Sequence, residues 1–137
     1  MREILFRGKR KHNGEWVKGL YITGQNNIGE ILYMIKTEYT TFFIEPETIG
    51  QYTGLTDKNG EKIFEGDIVV VNTTSIDEED GYGVIDWHED TARFIVELPN
   101  LLVDFDNLYS YDCEVIGNIH DNPDLLRGDK NEYVYGE

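Results

Sequence analysis

Three polar side chains in the second half of the chain have types and a spacing that could bind a metal ion. Asp86, His88 and Asp90 alternate along a predicted strand, so their side chains would lie on one face, where two carboxylates and an imidazole could hold a divalent cation. The same alternation is typical of the solvent-exposed face of any strand, and 27 acidic residues make chance groupings common. We therefore interpret the three as surface residues and predict neither a metal site nor a cofactor.

Other residue types that often carry catalysis stand outside any motif for it. Cys113 is the only cysteine, which excludes an intrachain disulfide and fits a reducing compartment, so we predict an inert core residue. His120 falls at the end of a predicted strand, where structural hydrogen bonding is the usual role. The glycines of 50–54 lack the Lys-Ser/Thr pair of a phosphate-binding loop. We predict no catalytic residue, and an enzyme with Asp86 and His88 in a cleft is the least favoured alternative.

Charge is distributed unevenly along the sequence. The first 18 residues hold six basic and two acidic residues, a net charge of +4, whereas the whole chain carries −15, which leaves −19 for the remainder. Affinity for nucleic acid comes mostly from Lys and Arg at the phosphates, so this balance disfavours direct binding to DNA or RNA. Carboxylates arranged in two long rows could instead imitate DNA and occupy the basic groove of a host nucleic-acid-binding protein.

The basic residues near the N-terminus form one cluster. Arg7, Lys9, Arg10 and Lys11 precede Asn13-Gly14, a pair typical of β-hairpin turns. We expect a solvated hairpin tip, and the alternatives are phosphate contact or pairing with an acidic surface of a second subunit. These four residues are therefore candidates for protein contact, and we favour a homo-oligomer over a monomer.

Aromatic residues are more numerous than a small core needs. The chain has nine Tyr, six Phe and two Trp, and alternation along strands would direct only about half of them inward. Others, such as Tyr109, Tyr111, Tyr133 and Tyr135, would supply a surface suited to protein contact, since aromatic side chains are enriched in interfaces.

The N-terminal part of the sequence predicts a β-hairpin region. Residues 4–7 and 16–23 should pair about Asn13-Gly14, and the ranges 28–36 and 40–44 are further predicted strands rich in Tyr, Ile and Phe. Pro46 followed by Gly50 predicts a single helical turn, because Pro suits the first helical position and Gly suits the exit.

The rest of the chain predicts a small β-barrel. Asn59-Gly60 indicates a hairpin with a type I′ turn, and strands are predicted within 62–71, 83–88, 93–98 and 113–119. Asn122-Pro123 is typical of a helix start and predicts a short C-terminal helix. The predicted division is an N-terminal β region at 1–48, a barrel domain at 49–126 and a polar tail at 127–137.

Several segments resemble the YopX family of prophage and bacteriophage proteins. The opening MREILFRGKR, the Glu15-Trp16-Val17 after an Asn-Gly pair, the stretch PETIGQYTGLTDKNGEKIFEGDIVVV and the late EVIGNIHDNPDLL carry the likeness in the family's order. The resemblance implies a mostly β protein encoded by a mobile element, with an SH3-type barrel in its C-terminal part and without an established activity. It assigns no catalytic or binding residue.

These observations favour an accessory protein that acts by binding another protein of the host or phage, with DNA mimicry as the alternative. The longest apolar runs are a few residues, far below the roughly 20 needed to span a bilayer, and the N-terminus has no hydrophobic signal region. We therefore expect a cytoplasmic protein that makes no membrane contact.

Overall fold

The computed structural model describes residues 2–71, 81–98, 101–105 and 113–126. The chain divides into two compact units, the N-terminal unit Met1–Gly54 and the C-terminal unit Leu55–Glu137. The fold is mainly β and antiparallel, and within the described ranges the helical segments are short 3₁₀ turns. The division between the two units falls after Gly54, within the strand Gly50–Thr56. The predicted domain boundary after residue 48 and the predicted polar tail at 127–137 remain predictions.

The N-terminal unit is an antiparallel sheet in the order β4-β3-β2-β1-β5. Its strands are β1 (Phe6–Lys9), β2 (Trp16–Gln25), β3 (Ile31–Lys36), β4 (Thr41–Phe43) and β5 (Gly50–Thr56). A 3₁₀ turn at Pro46–Thr48 precedes β5 and has Pro at its first position, as predicted. The strand β5 continues into the C-terminal unit, where its last residues belong to a hairpin with β6 (Lys62–Phe64).

The predicted hairpin about Asn13-Gly14 is confirmed. Phe6 pairs with Gly19 and Lys9 with Trp16, so β1 starts two residues later than predicted. Gly14 has a φ of 76°, a left-handed conformation that glycine adopts without a steric penalty. The Asn13 side chain accepts the N–H of Glu15 at 3.0 Å, which fixes the turn locally.

The sheet of the N-terminal unit is strongly curled, so that the ends of β1 and β4 are joined by backbone hydrogen bonds. Lys11 donates its N–H to Phe43 at 2.9 Å, and Glu45 donates its N–H to Lys9 at 2.9 Å. The fully buried Ile35 and the nearly fully buried Ile44 lie inside this curl. The close approach depends on glycine, because a Cβ on Gly8 would come within 2.8 Å of the Ile44 side chain.

The C-terminal unit holds a second antiparallel sheet in the order β10-β9-β8-β7-β11. Its strands are β7 (Asp67–Val71), β8 (Gly81–His88), β9 (Arg93–Leu98), β10 (Leu101–Asp104) and β11 (Cys113–Asn118). The prediction located β7, β8, β9 and β11 and missed β10. Among the residues that the structure describes, the core cluster of this unit contains Ile63, Val69, Val71, Ile85, Val96, Phe105 and Cys113.

Two details of the C-terminal unit differ from the sequence-based expectations. Among the described residues β10 and β11 are the edges of an open sheet, and no closed barrel is formed. The predicted C-terminal helix is a 3₁₀ turn at Pro123–Leu126, and the Asn122 side chain ahead of it accepts the N–H of Asn118 at 3.2 Å. A run of four residues that begins with the Pro is too short for the repeated hydrogen bonds that an α-helix needs.

A buried carboxylate, rather than a type I′ turn, organises the hairpin between β5 and β6. Only Gly60 of the expected Asn59-Gly60 pair has a positive φ, at 82°. Asp57, which is 5% exposed, accepts the N–H groups of Asn59 and Glu61 through Oδ1 at 2.8 and 2.9 Å. Its Oδ2 accepts the N–H of Val115 at 2.9 Å, so the same side chain fastens the hairpin to β11.

Candidate functional site

The three candidate metal ligands do not converge in the structure. Asp86 is exposed on β8 and its Oδ1 accepts the N–H of Trp87 at 2.8 Å, whereas His88 Nδ1 is hydrogen-bonded to Thr91 Oγ1 at 2.8 Å. Asp90 lies in the turn beyond β8, so the prediction that all three alternate along one strand is wrong. Within the described ranges, no group of three His, Cys, Asp or Glu side chains could hold a metal ion.

Cys113 and His120 occupy structural positions. Cys113 is a fully buried free thiol in the core of the C-terminal unit, as predicted. His120 lies in the turn after β11, where its N–H is donated to Asn118 Oδ1 at 3.0 Å.

The basic cluster is not a solvated hairpin tip. Arg7 is 9% exposed, and its guanidinium lies 4.7 Å from the centre of the Trp16 ring, while Lys9 Nζ lies 5.7 Å from the same centre. Cations this close to an indole face are attracted by the negative potential of the ring. Of the four candidates, Lys11 alone lies in the turn itself, so the expectation of a solvated tip is wrong for the others.

Arg10 is oriented by two side chains from different segments, Phe42 on β4 and Glu15 immediately before β2. Its guanidinium lies 4.4 Å from the centre of the Phe42 ring, and its Nη1 lies 3.2 Å from Glu15 Oε1. The Arg10 backbone forms an antiparallel bridge with Ile44, which brings the residue to the junction of β1 and β4. The guanidinium is therefore held in place before any ligand arrives.

A concave site lies beside Arg10, entirely within the N-terminal unit. We call it the Arg10 groove; its cavity volume is about 520 Å³, within the usual range for small-ligand and peptide side-chain pockets. Basic residues at one rim and mostly apolar residues elsewhere line it: Arg10, Lys11, His12, Ile31, Leu32, Tyr33, Thr41, Phe42, Phe43 and Ile44. The chemistry suits an apolar side chain accompanied by a negative charge.

The frame of the Arg10 groove is fixed by backbone hydrogen bonds. Lys11 donates to Phe43 at 2.9 Å, and Ile44 donates to the carbonyl of Tyr33 at 3.0 Å, so both walls are tied to neighbouring segments. The turn is closed by the N–H of Gly14, which is donated to Arg10 at 2.8 Å. A preformed frame lowers the ordering cost that a binding site would otherwise impose.

The inner sheet face holds two neighbouring tyrosines, Tyr21 and Tyr33, of which Tyr33 lines the groove. Burial raises the pKa of Tyr21 above its ordinary value of 10.0, and the nearby Tyr33 raises it further. The Tyr21 ring also packs against Phe6, with 5.8 Å between ring centres. The Tyr21 hydroxyl is neutral at physiological pH, as an ordinary tyrosine is, and the raised pKa extends this neutral state to higher pH.

Sequence reasoning identified the basic rim of the groove and missed its apolar walls. Arg10 and Lys11 were both candidates, whereas Tyr33, Phe42 and Ile44 were assigned to strands without a functional role. Alternation within β3 indicated that Tyr33 and Ile35 share a face, but their distance to Arg10 depends on the curl of the sheet. The other candidates, Tyr109, Tyr111, Tyr133 and Tyr135, lie outside the described residues.

Comparisons with known proteins agree with this architecture. The chain resembles the crystal structure of protein EF1440 from Enterococcus faecalis with a TM-score of 0.57 and 26% sequence identity, over 92% of this chain and 99% of that chain. No curated protein matches. In the part of the chain that the structure describes, none of the helical turns has the length and apolar character needed to cross a bilayer. Residues 5–127 match the family described as YopX protein, and the chain therefore belongs to the YopX family.

Proposed function

We propose that this protein is a cytoplasmic, phage- or prophage-encoded binding module whose site is the Arg10 groove. Its partner is an acidic segment of a host or phage protein that carries an aromatic or branched aliphatic side chain. The observation that supports this proposal is the guanidinium of Arg10, stacked 4.4 Å from the Phe42 ring at the rim of an apolar cavity. Such an arrangement can receive a carboxylate and the neighbouring apolar side chain together.

The charge of the two units supports an acidic partner at this site. The N-terminal unit has seven basic and six acidic residues, a net charge of +1, whereas the C-terminal unit has five basic and 21 acidic residues, a net charge of −16. An acidic segment is repelled by the second unit and tolerated by the first. The basic rim of the Arg10 groove then attracts it locally.

The lining of the groove favours binding over catalysis. Its ten lining residues include no carboxylate and no cysteine, and its single histidine, His12, belongs to the turn after β1. General acid-base and nucleophilic mechanisms need such groups in pairs held within hydrogen-bond reach. We therefore assign no reaction to the groove.

The strongly acidic C-terminal unit favours a second candidate function, DNA mimicry. A unit with 21 acidic and five basic residues could occupy a groove that normally binds phosphate. The test is competition: the protein should displace labelled duplex DNA from the host enzyme that it captures. Failure to displace DNA from any captured enzyme removes this candidate and leaves the groove proposal intact.

We also propose that the C-terminal unit is related to SH3-type barrels. The support is its strand order, in which β11 returns to pair with β7, the first strand of the meander β7-β8-β9-β10. An experimental structure that includes the segments outside the described ranges tests this relation, and a flat sheet with no return of its edges toward each other would contradict it.

The groove proposal is tested with labelled peptides of about ten residues that combine several Asp or Glu with one Tyr, Phe, Trp or Leu. Fluorescence anisotropy should detect binding to the wild-type protein, and peptides with Lys in place of the acids should not bind. Arg10→Gln should weaken binding about tenfold, since one charge-assisted contact is worth about 1.5 kcal/mol. Phe42→Leu should weaken it as well, because the aliphatic side chain fills space without providing a stacking surface.

A matched control separates a local effect from a change of net charge. Arg93→Gln removes the same charge from an exposed arginine on β9 that pairs with Asp104 at 2.8 Å. It should bind the acidic peptides like the wild-type protein. Equal weakening by Arg10→Gln and Arg93→Gln, or binding that does not depend on the peptide's acids, contradicts the assignment of the site.

A further inference from the structure

The outward face of the N-terminal sheet carries a row of apolar side chains across three strands. Ile22 on β2 pairs with Met34 on β3, which pairs in turn with Phe43 on β4. Directly paired residues of an antiparallel sheet point to the same side, so the three side chains form one row. Ile22 and Phe43 are 37% and 55% exposed, unlike the buried Ile35 on the opposite face.

Further apolar side chains widen this row into a patch, which we call the outer sheet face. Leu20, 55% exposed, lies two residues before Ile22 on the same side of β2, and Leu32 lies two residues before Met34 on β3. Met34 lies flat over β2, since its Cε is 3.3 Å from where a Cβ on Gly24 would stand. Contiguous exposed apolar area of this kind is typical of interaction surfaces.

The ends of the outer sheet face carry opposite charges. Exposed Lys36 pairs with Leu20 at one end of β3, and exposed Lys18 lies beyond it on β2. Exposed Glu30 immediately precedes β3 at the other end. A surface with an apolar centre, a basic end and an acidic end is complementary to a copy of itself rotated by half a turn.

We propose that the outer sheet face is the interface of a two-fold symmetric homodimer, in which β3 of one copy crosses antiparallel over β3 of the other. The apolar rows then meet at the centre, and Lys36 of each copy faces Glu30 of its neighbour. The charge of the chain favours this choice of surface: an interface between N-terminal units of +1 brings together less like charge than an interface between C-terminal units of −16 would. The proposed interface shares Leu32 and Phe43 with the lining of the Arg10 groove, whereas Leu20, Ile22 and Met34 lie outside that lining.

The first test compares two identical substitutions at different places. Ile22→Glu inserts a charge into the centre of the proposed interface, whereas Ile28→Glu inserts the same charge at a 75% exposed position in the turn between β2 and β3. By sedimentation equilibrium the wild-type protein and Ile28→Glu should be dimers. Ile22→Glu should shift the dissociation constant upward at least about a hundredfold, because a desolvated unpaired charge is among the costliest interface changes.

The second test uses the charges at the ends. Lys36→Glu should weaken the dimer by about tenfold, and Lys36→Glu combined with Glu30→Lys should restore it, since the reversed pair is again complementary. Circular dichroism of each variant should match the wild type, which shows that the fold is retained. This restoration distinguishes a paired contact from a general effect of net charge.

Three outcomes overturn the proposal. The first is a wild-type protein that is monomeric at tens of micromolar, roughly the range of ordinary association constants. The second is a folded Ile22→Glu variant that dimerises like Ile28→Glu. The third is a dimer that persists in the Ile22→Glu variant but dissociates when Lys9 and Lys11 are replaced by Glu. The interface would then be the basic cluster.

Discussion

Replacement of Asp57 should destabilise the C-terminal unit more than any surface acid does. The Asp57 carboxylate is 5% exposed and accepts three backbone N–H groups, two in the turn between β5 and β6 and one on β11. No single backbone group could replace an acceptor that reaches both segments. Asp57→Ala removes all three acceptor contacts. Asp57→Asn keeps one acceptor oxygen, but its amide NH₂ replaces the other oxygen and faces an N–H group that it cannot accept.

The size of the stability loss depends on which of the three N–H groups can form a hydrogen bond to water once the Asp57 carboxylate is removed. Asn59 and Glu61 are exposed, so each lost bond there should cost about 0.5–1 kcal/mol. The N–H of Val115 lies on a half-buried strand, so the loss of its charged acceptor should cost about 2–3 kcal/mol of stability. The expected loss is about 3–5 kcal/mol for Asp57→Ala and about 2 kcal/mol for Asp57→Asn, a large share of the roughly 5–15 kcal/mol that stabilises a domain.

Urea unfolding followed by circular dichroism and by tryptophan fluorescence measures these losses. The slope of the free energy of unfolding against urea should be unchanged, so the midpoint alone reports stability. Asp86→Ala is the matched control: Asp86 is exposed and accepts the N–H of its neighbour Trp87, so its replacement should cost less than about 0.5 kcal/mol. An Asp57→Ala variant within about 1 kcal/mol of the wild type, at equal slope, would refute the reasoning.

Three further predictions concern the rest of the molecule. The pKa of Tyr21 is raised in the folded state, so stability should fall as pH rises past 10.0, and Tyr21→Phe should reduce this fall in alkaline urea titrations; an unchanged pH profile contradicts it. Gly19→Ala should destabilise by more than about 2 kcal/mol in thermal unfolding, because its Cβ would lie 2.2 Å from the carbonyl oxygen of Lys36. Gly81→Ala, whose Cβ would have ordinary contact distances, should cost less than about 1 kcal/mol. A chelator should leave the melting temperature unchanged, and a shift of several degrees, roughly the effect of a tightly bound ion, would contradict the prediction that no metal is bound tightly.

The fold class could be predicted from local signals. Turn residues such as Asn13-Gly14 and Gly66 mark chain reversals, and runs such as Ile68 to Val71 have the β-branched composition of strands. These preferences act between residues a few positions apart, so a sequence reports them directly. The missed strand β10 has a weaker signal, since Leu101–Asp104 is a short segment whose pairing with β9 depends on a partner rather than on its own composition.

Local sequence patterns were enough to predict the β character, a helical turn at Pro46, the burial of Cys113 and Arg10 as a contact candidate. Tertiary contacts were needed to show that Asp57 fastens a hairpin to β11, 58 residues away, and that Arg10 stacks on Phe42. Both contacts join residues that are distant along the chain, and their formation depends on how each sheet curls. Side-chain alternation assigns a residue to a face, but curvature and strand order decide which faces meet.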